Sequence, residues 1–271
     1  MADATHHSSA SSSSTGSTGS APASSGALIE ARNVFRLYPG ARDTAPVLQD
    51  VSLALPEGKF IVIMGPSGSG KSTLLHLLCG LDLPSSGQIF LAGQELTAMD
   101  DEARTQLRRA WVGFVFQFYN LVPNLTVGEN LALPLLLQGI TDPRKDPRYE
   151  EIARLFGLQD KLGRRPHELS GGEMQRTSIA RAVIHQPRAV FADEPTGNLS
   201  TKAGLEVMEH LKKAVDLLHR TVVLVTHNPR DARFADELHF LKDGRIDPAW
   251  SLRGGPLDEH RIHARLEELG I

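Results

Sequence analysis

No disulfide can form within this chain, because its 271 residues hold a single cysteine, Cys79. That thiol sits in the apolar run Leu74-Leu75-His76-Leu77-Leu78-Cys79, where a small buried hydrophobe is expected rather than a reactive nucleophile. A reducing cytosol suits such a chain. Neither sign of charge is in excess: 29 Lys and Arg stand against 32 Asp and Glu, a net charge of −3. A basic groove for nucleic acid is therefore not expected, and no acidic block marks a solvating tail. No run approaches the roughly 20 apolar residues that span a bilayer. The longest, Leu131-Ala132-Leu133-Pro134-Leu135-Leu136-Leu137, is far too short. The N-terminus lacks the cationic start and apolar centre of a secretory signal, and no repeat at solenoid periods is found. A chain of this kind reaches a membrane by docking onto something else.

What is present begins with a hydrophobic fraction of 41%, enough for a packed core in one large domain or two small ones. The stretch Gly65-Pro66-Ser67-Gly68-Ser69-Gly70-Lys71-Ser72-Thr73 fits G-x-x-x-x-G-K-[ST]. Phe60-Ile61-Val62-Ile63-Met64 before it reads as a buried strand, and Thr73 to Cys79 after it as an apolar helix. That strand–loop–helix context is what a phosphate-binding loop needs. Glycines let the backbone wrap closely around phosphate. Unpaired N–H groups at the helix start carry partial positive charge. Lys71 adds a full charge at the β- and γ-phosphates, and the Ser72 hydroxyl can ligate Mg²⁺.

Along the chain, residues 1–26 are rich in Ser, Ala, Thr and Gly and are expected to be disordered. His6-His7 within them carry no assigned role. Strand-like alternation starts near Ala27 and returns at Val47-Leu48 and Val51 to Leu55, with turns at Pro39-Gly40 and Pro56-Glu57-Gly58. Further strands are expected at Gln88–Leu91, Val112–Phe116, Ala189–Ala192 and Thr221–Val225. A hairpin is expected over Leu238–Ile246, turning at Asp243-Gly244. Helical patterns occupy Asp100–Arg109, most of 118–185, and Leu205–Leu218. Thr126 with Glu129 and Ser170 with Glu173 form two capping boxes. Pro134 is expected to kink its helix or end it early. A helical insert between strands of an α/β sheet marks a subdomain. The last residues place Ile262, Leu266 and Leu269 on one helical face, which is expected to pack on its own domain.

Several predicted strands end in polar residues, at the edge where α/β sheets bind ligands. Asp193 follows four apolar residues, and its carboxylate would hold Mg²⁺ directly or through water. Glu194 would polarise the attacking water, provided the chain turns both neighbours toward the nucleotide. His227 ends the next strand and would donate a hydrogen bond to the transferring γ-phosphate. Gln117 ends another and could touch the metal or the water. In Leu169-Ser170-Gly171-Gly172-Glu173, two glycines directly after an N-cap weaken the helix by about 1 kcal/mol each relative to alanine. Something must need close backbone approach there. The start of a helix binds anions, and the chain already has one phosphate loop. This second one is therefore expected to meet the nucleotide of another subunit.

The order and context of these motifs, with Met174-Gln175-Arg176 completing the glycine segment, resemble the ATPase subunits of ABC transporters over about residues 28–246. The resemblance implies a RecA-like P-loop NTPase core of α/β class, with an antiparallel β subdomain and an α-helical signature subdomain. It implies an ATPase domain over 27–248, its helical part about 118–185, leaving 249–271 as a C-terminal extension. It also implies a head-to-tail dimer in which two ATP molecules are sandwiched, each between the phosphate loop of one copy and Ser170-Gly171-Gly172 of the other. Tyr38 matches the aromatic that stacks on adenine. Phe114-Val115-Phe116-Gln117 matches the loop that senses nucleotide beside the coupling helices of a separate transmembrane permease, on the cytoplasmic side of the membrane. Leu121-Val122-Pro123-Asn124-Leu125-Thr126-Val127-Gly128-Glu129-Asn130 and Asp193-Glu194-Pro195-Thr196-Gly197-Asn198-Leu199 are closest to the lipoprotein-release and macrolide-export branch, with cell-division ATPases similar. Two positions depart from it. Glu173 replaces the commoner Gln. Ser200 stands where the branch usually has Asp, which is expected to weaken coupling between the two sites. A ribosome- or DNA-acting ABC protein would carry two cassettes or a long coiled coil, and a non-hydrolysing ATP switch would lack Lys71, Asp193, Glu194 or His227.

Overall fold

The computed structural model describes Met1 and residues 26–38, 46–254 and 257–271. Apart from its two end residues, the tail expected over 1–26 falls outside them, as do His6-His7 and Pro39-Gly40. In chain order the elements begin with β1 (Ala27–Arg36), β2 (Leu48–Pro56), β3 (Phe60–Met64), α1 (Lys71–Leu78), β4 (Ser86–Leu91) and β5 (Gln94–Glu95). Next come α2 (Asp101–Trp111), β6 (Val112–Val115), α3 (Val127–Leu137), α4 (Pro147–Leu155), α5 (Gly171–Val183) and β7 (Ala189–Asp193). The remainder is α6 (Thr201–Asp216), β8 (Thr221–Thr226), α7 (Pro229–Ala232), β9 (Glu237–Lys242), β10 (Arg245–Ile246), β11 (Leu252–Arg253) and α8 (Glu259–Leu269).

Strand alternation divides the interior into two cores. Side chains along a strand point to opposite faces with a period of two, and strands β3, β7 and β8 are buried on both. Phe60, Val62, Met64, Val190, Ala192, Val222 and Leu224 join a core shared with α3, α4, α5, α6 and α8. Their neighbours Ile61, Ile63, Ala189, Phe191, Val223 and Val225 join a second core with α1 and the β1, β2 and β4 strands. The parallel ladder runs β9-β3-β8-β7-β6, with β10 and β11 both antiparallel to β9. The separate antiparallel sheet has the order β2-β1-β4-β5. Parallel strands covered on both faces are the architecture of an α/β P-loop core, with the antiparallel sheet laid against one side and the helical segment against the other. Cys79 is fully buried in the second core, and burial pushes its thiol up to about 12. It is therefore inert.

Two local features differ from simple propensity. Helix α3 runs through Pro134 and stops one turn later at Leu137, so the proline is housed rather than terminal. Its start is fixed by the Thr126–Glu129 box and by Asn130, a fully buried amide. Asn130 accepts from the Val122 N–H at 2.8 Å and donates to the carbonyls of Val122, Leu125 and Thr126, closing the loop before the helix. The C-terminal segment holds β11, an unforeseen strand that pairs Leu252 with Leu238. Beyond it α8 buries Ile262 and Leu266 in the first core, a gain of about 1.5–3 kcal/mol for each side chain. An Arg233–Glu259 ion pair at 3.3 Å also joins it to the segment after α7. Among the described residues no helix is long and apolar enough to cross a membrane.

Candidate active site

The loop Gly65–Gly70 leaves the C-terminal end of β3 and enters α1 at Lys71. Glycine is required at both ends of it. A Cβ on Gly65 would lie 2.1 Å from the Leu241 carbonyl oxygen, and Gly70 sits at φ +99°, a region L side chains rarely adopt. Lys71 is buried. Its ammonium donates to the carbonyls of Gly65 at 3.0 Å and Pro66 at 2.9 Å, and its nearest carboxylate, Glu194, is 3.9 Å away. An ammonium has three donors, so one of them has no hydrogen bond among the described residues. Burial lowers the Lys71 pKa, against the opposing pull of Glu194 and Asp193. The buried Ser69 hydroxyl beside it also lacks a partner. Unsatisfied buried donors in a glycine-walled loop are what an anionic phosphate chain would satisfy. The cleft above, about 290 Å³, is lined by Val47, Ser67, Gly68, Gly70, Lys71, Ser72, Thr73 and Glu194.

Asp193 and Glu194 are both brought to this cleft, although neighbours in a strand should diverge. The Glu194 N–H still bonds the Val225 carbonyl at 3.0 Å, extending the β7–β8 ladder by one residue. Its φ is then +41°, the left-handed region. Such a conformation costs of order 1–3 kcal/mol for a residue with a Cβ, and it swings the second carboxylate to the same side as the first. Asp193 Oδ1 accepts from Ser72 Oγ at 2.9 Å. Burial raises the Asp193 pKa, with the Ser72 bond opposing it. A partly buried carboxylate next to a hydroxyl forms a hard-oxygen pair of the kind that, with phosphate oxygens, takes Mg²⁺. Glu194 Oε1 lies 3.0 Å from His227 Nδ1. A carboxylate only accepts, so the imidazole carries its proton on Nδ1 in this pairing.

The other expected residues are placed differently. Gln117 does not bond Ser72 or Asp193; its amide faces Gly197, where a Cβ would meet Gln117 Nε2 at 3.1 Å and Glu194 Oε2 at 3.7 Å. It therefore lies beside Glu194 rather than at the Ser72–Asp193 hydroxyl–carboxylate corner. Tyr38 is 46% exposed, with the Arg36 guanidinium 4.4 Å from its ring centroid and its hydroxyl 3.4 Å from Asp82, so one ring face is already occupied. Ser170 caps α5, and its N–H and hydroxyl both donate to Glu173 Oε2, at 2.8 and 2.9 Å. No hydrogen bond among the described residues ties Leu169–Gly172 to the phosphate loop. A Cβ on Gly172 would meet only Ala203, at 3.5 Å, an ordinary contact. The chain's own packing therefore does not demand glycine there.

Sequence reasoning gave no structural role to Gln175, Thr196, Thr226 or Asp231. Gln175 is buried and donates to the Phe116 carbonyl at 3.3 Å and the Pro195 carbonyl at 2.9 Å, so α5 grips the segments carrying Gln117 and Glu194 together. Asp231 accepts from Thr196 at 2.6 Å and Thr226 at 3.1 Å. Gln175 and Thr196 lie within motifs that mark the resemblance, but the contacts of all four span 5 to 59 residues of chain, which no local pattern shows.

The capping box at Glu173 carries a testable energy. The Ser170 N–H, its hydroxyl and nearby Lys161 hold the Glu173 carboxyl down at about 2, against an ordinary 4.5. A depressed folded pKa stabilises above the unfolded value and fades as pH falls through the folded one. Glu173→Ala is expected to cost about 1 kcal/mol near neutral pH and progressively less between about pH 4.5 and 2. Urea midpoints of the two proteins at several pH values measure this. A gap that stays constant into acid would show that the cap contributes nothing through its charge.

Residues 48–197 match the profile of the family described as ABC transporter. An uncharacterized ABC transporter ATP-binding protein of Thermotoga maritima is 42% identical over 220 residues, covering 81% of this chain and 94% of that protein. The bacitracin export ATP-binding protein BceA of Halalkalibacterium halodurans is 39% identical over 81% of this chain and 87% of its own length. Similarity also extends to the dimeric, post-hydrolysis structure of the ATP-binding cassette MJ0796 bound to ADP and Pi. That protein comes from Methanocaldococcus jannaschii, and the match has a TM-score of 0.76 at 36% identity over 83% of this chain and 98% of that one.

Proposed function

The chain belongs to the ABC transporter family of ATP-binding subunits, and from that premise we propose that two copies close head-to-tail over two ATP molecules to drive a separate transmembrane permease. As a member of that family it binds and hydrolyses ATP. The proposal extends to export, or extraction from the membrane, because BceA and the macrolide export ATP-binding/permease protein MacB of Salmonella are named for export. The subunit then sits peripherally on the cytoplasmic face, held by its permease. Exposed Phe118, Val122, Leu136 and Leu137 on the helical side supply apolar surface for that contact.

One observation carries the dimer: Gly172 lies in the first turn of α5, where its own chain leaves room for a larger residue, yet glycine weakens a helix. The freedom is explained if a second copy's phosphate approaches that backbone. Within each half-site Lys71 and the loop N–H groups hold the β- and γ-phosphates, and Tyr38 offers its uncovered ring face to adenine. Ser72 and Asp193 would hold Mg²⁺, whose chemistry there would be neutralisation of phosphate charge. Glu194 orients and deprotonates the attacking water, with Gln117 beside it. His227, whose Nδ1 faces Glu194, presents Nε2 to the γ-phosphate. ATP binding closes the pair and hydrolysis reopens it, a population shift that the permease reads.

Sedimentation of Glu194→Gln tests this. It is expected to be monomeric with ADP and dimeric with ATP, and the dimer is expected to vanish when Gly172→Asp is added. A dimer indifferent to Gly172, or none with ATP, would remove the head-to-tail reading. Ser200 caps α6, its hydroxyl accepting from the Ala203 N–H at 3.4 Å. Aspartate would also cap there, so Ser200→Asp is expected to keep the fold while steepening the ATP dependence of hydrolysis. An unchanged Hill coefficient would show that this position carries no inter-site coupling.

A further inference from the structure

The two side chains proposed to act on water and phosphate sit on different loops. Glu194 follows β7 and His227 follows β8, and the two lie 33 residues apart in the chain. Their 3.0 Å contact therefore needs something beneath it. Thr196, two residues after Glu194, and Thr226, directly before His227, both donate their hydroxyls to one atom, Asp231 Oδ2, at 2.6 and 3.1 Å. The Thr226 hydroxyl in turn accepts from the Asn228 N–H at 3.0 Å, so both neighbours of His227 are fixed.

We propose that Asp231 is a positioning residue for ATP hydrolysis: its buried carboxylate fastens the Glu194 turn and the His227 turn to a single point and thereby sets the distance between their side chains. The inference rests on the roles given above to Glu194 and His227. Asp231 is 4% exposed and lies in α7, yet it is not the cap of that helix, a task done by Asn228 through Arg230 N at 3.1 Å. Its bonds instead run to two other segments, 35 and 5 residues away. Burial raises its pKa and the two hydroxyl bonds oppose that rise, so the acceptor is costly to keep and its donors compensate part of the cost. A buried carboxylate whose donors lie in the loop after Glu194 and at the end of β8, directly before His227, restrains those two segments more than it stabilises its own helix.

A double-mutant cycle separates positioning from bulk stability. Asp231→Ala is expected to lower kcat about 10- to 100-fold, the scale of a misplacement near 1 Å, with the dissociation constant for ATP within twofold of wild type. Asp231→Asn keeps an oxygen that can accept from both threonines and is expected to restore most of the rate. In a His227→Ala background, where the pair no longer exists and only the Glu194 turn is left to anchor, Asp231→Ala is expected to cost markedly less than in wild type. An equal loss of kcat in both backgrounds, or an unchanged kcat in the single variant, overturns the inference. If Asp231→Ala does not fold, Thr196→Val carries the same cycle, because it removes one donor to Asp231 without changing shape. Should Glu194→Gln hydrolyse ATP normally, the roles of Glu194 and His227 fall. Additivity in the cycle would remove only the part assigned to Asp231.

Discussion

Lys71→Ala is expected to leave a folded protein whose ATP turnover has fallen at least about a hundredfold. The ammonium sits at the mouth of the loop with two of its donors on the Gly65 and Pro66 carbonyls and a third without a hydrogen bond. A triphosphate brings negative charge to an ammonium that is itself buried. At an effective dielectric of 20, a unit charge pair 4 Å apart interacts by about 4 kcal/mol. Part of that is already spent in burying the ammonium, as its lowered pKa shows, and the remainder still corresponds to a hundredfold or more. Stability should move much less. Loss of the lysine leaves the two carbonyls without this donor, but it also removes a buried charge, and these effects oppose each other at about 1–3 kcal/mol. Lys71→Met keeps the apolar stem and so separates charge from cavity. Turnover assays with Mg-ATP, run beside thermal melts, decide the matter. If Lys71→Met hydrolysed ATP within twofold of wild type, the phosphate loop would not be where the chemistry happens.

That prediction could be made from sequence because everything Lys71 needs is local: a strand, six loop residues and a helix, consecutive in the chain. The strands of the core were legible for the same reason, since Phe60 to Met64 and Ala189 to Ala192 announce burial on both faces by composition. What was not legible depends on distance along the chain. Asp193 and Glu194 were recognisable as a pair, but only the left-handed turn at Glu194 shows how two neighbours reach one cleft. Gln117 was expected near metal or water, and the structure places its amide beside Gly197 and Glu194, where α5 holds the preceding residue through Gln175. Asp231 is an acidic residue in a four-residue helix, and nothing in its neighbourhood distinguishes it from a solvated charge until the fold places Thr196 and Thr226 on it. The strand β11 carries too few residues to show a period at all. Tyr119 and Asn120 also take left-handed conformations, and they are held by Arg181 bonding both of their carbonyls, a contact across more than sixty residues that no local pattern encodes.

Glu194→Gln should separate binding from chemistry. The glutamine keeps the length of the side chain, and its amide oxygen can still accept from His227 Nδ1 at the position now 3.0 Å away. The left-handed backbone at residue 194 is set by the Val225 bond and the Thr196 anchor rather than by the charge, so the turn should persist. What is lost, on the role proposed for Glu194, is the acceptor for the proton of water. A general base contributes about 10²–10⁴-fold, and turnover is expected to fall by that factor while ATP affinity changes little. Lys71, 3.9 Å from the present carboxylate, loses a partner but gains the phosphate more readily, which favours the bound, closed pair. The variant should therefore accumulate with ATP rather than ADP in its cleft after a single turnover period. Chromatography of the extracted nucleotide distinguishes the two. Wild-type turnover in Glu194→Gln would mean that the water is activated elsewhere, and the strained turn at that position would then need a different reason to exist.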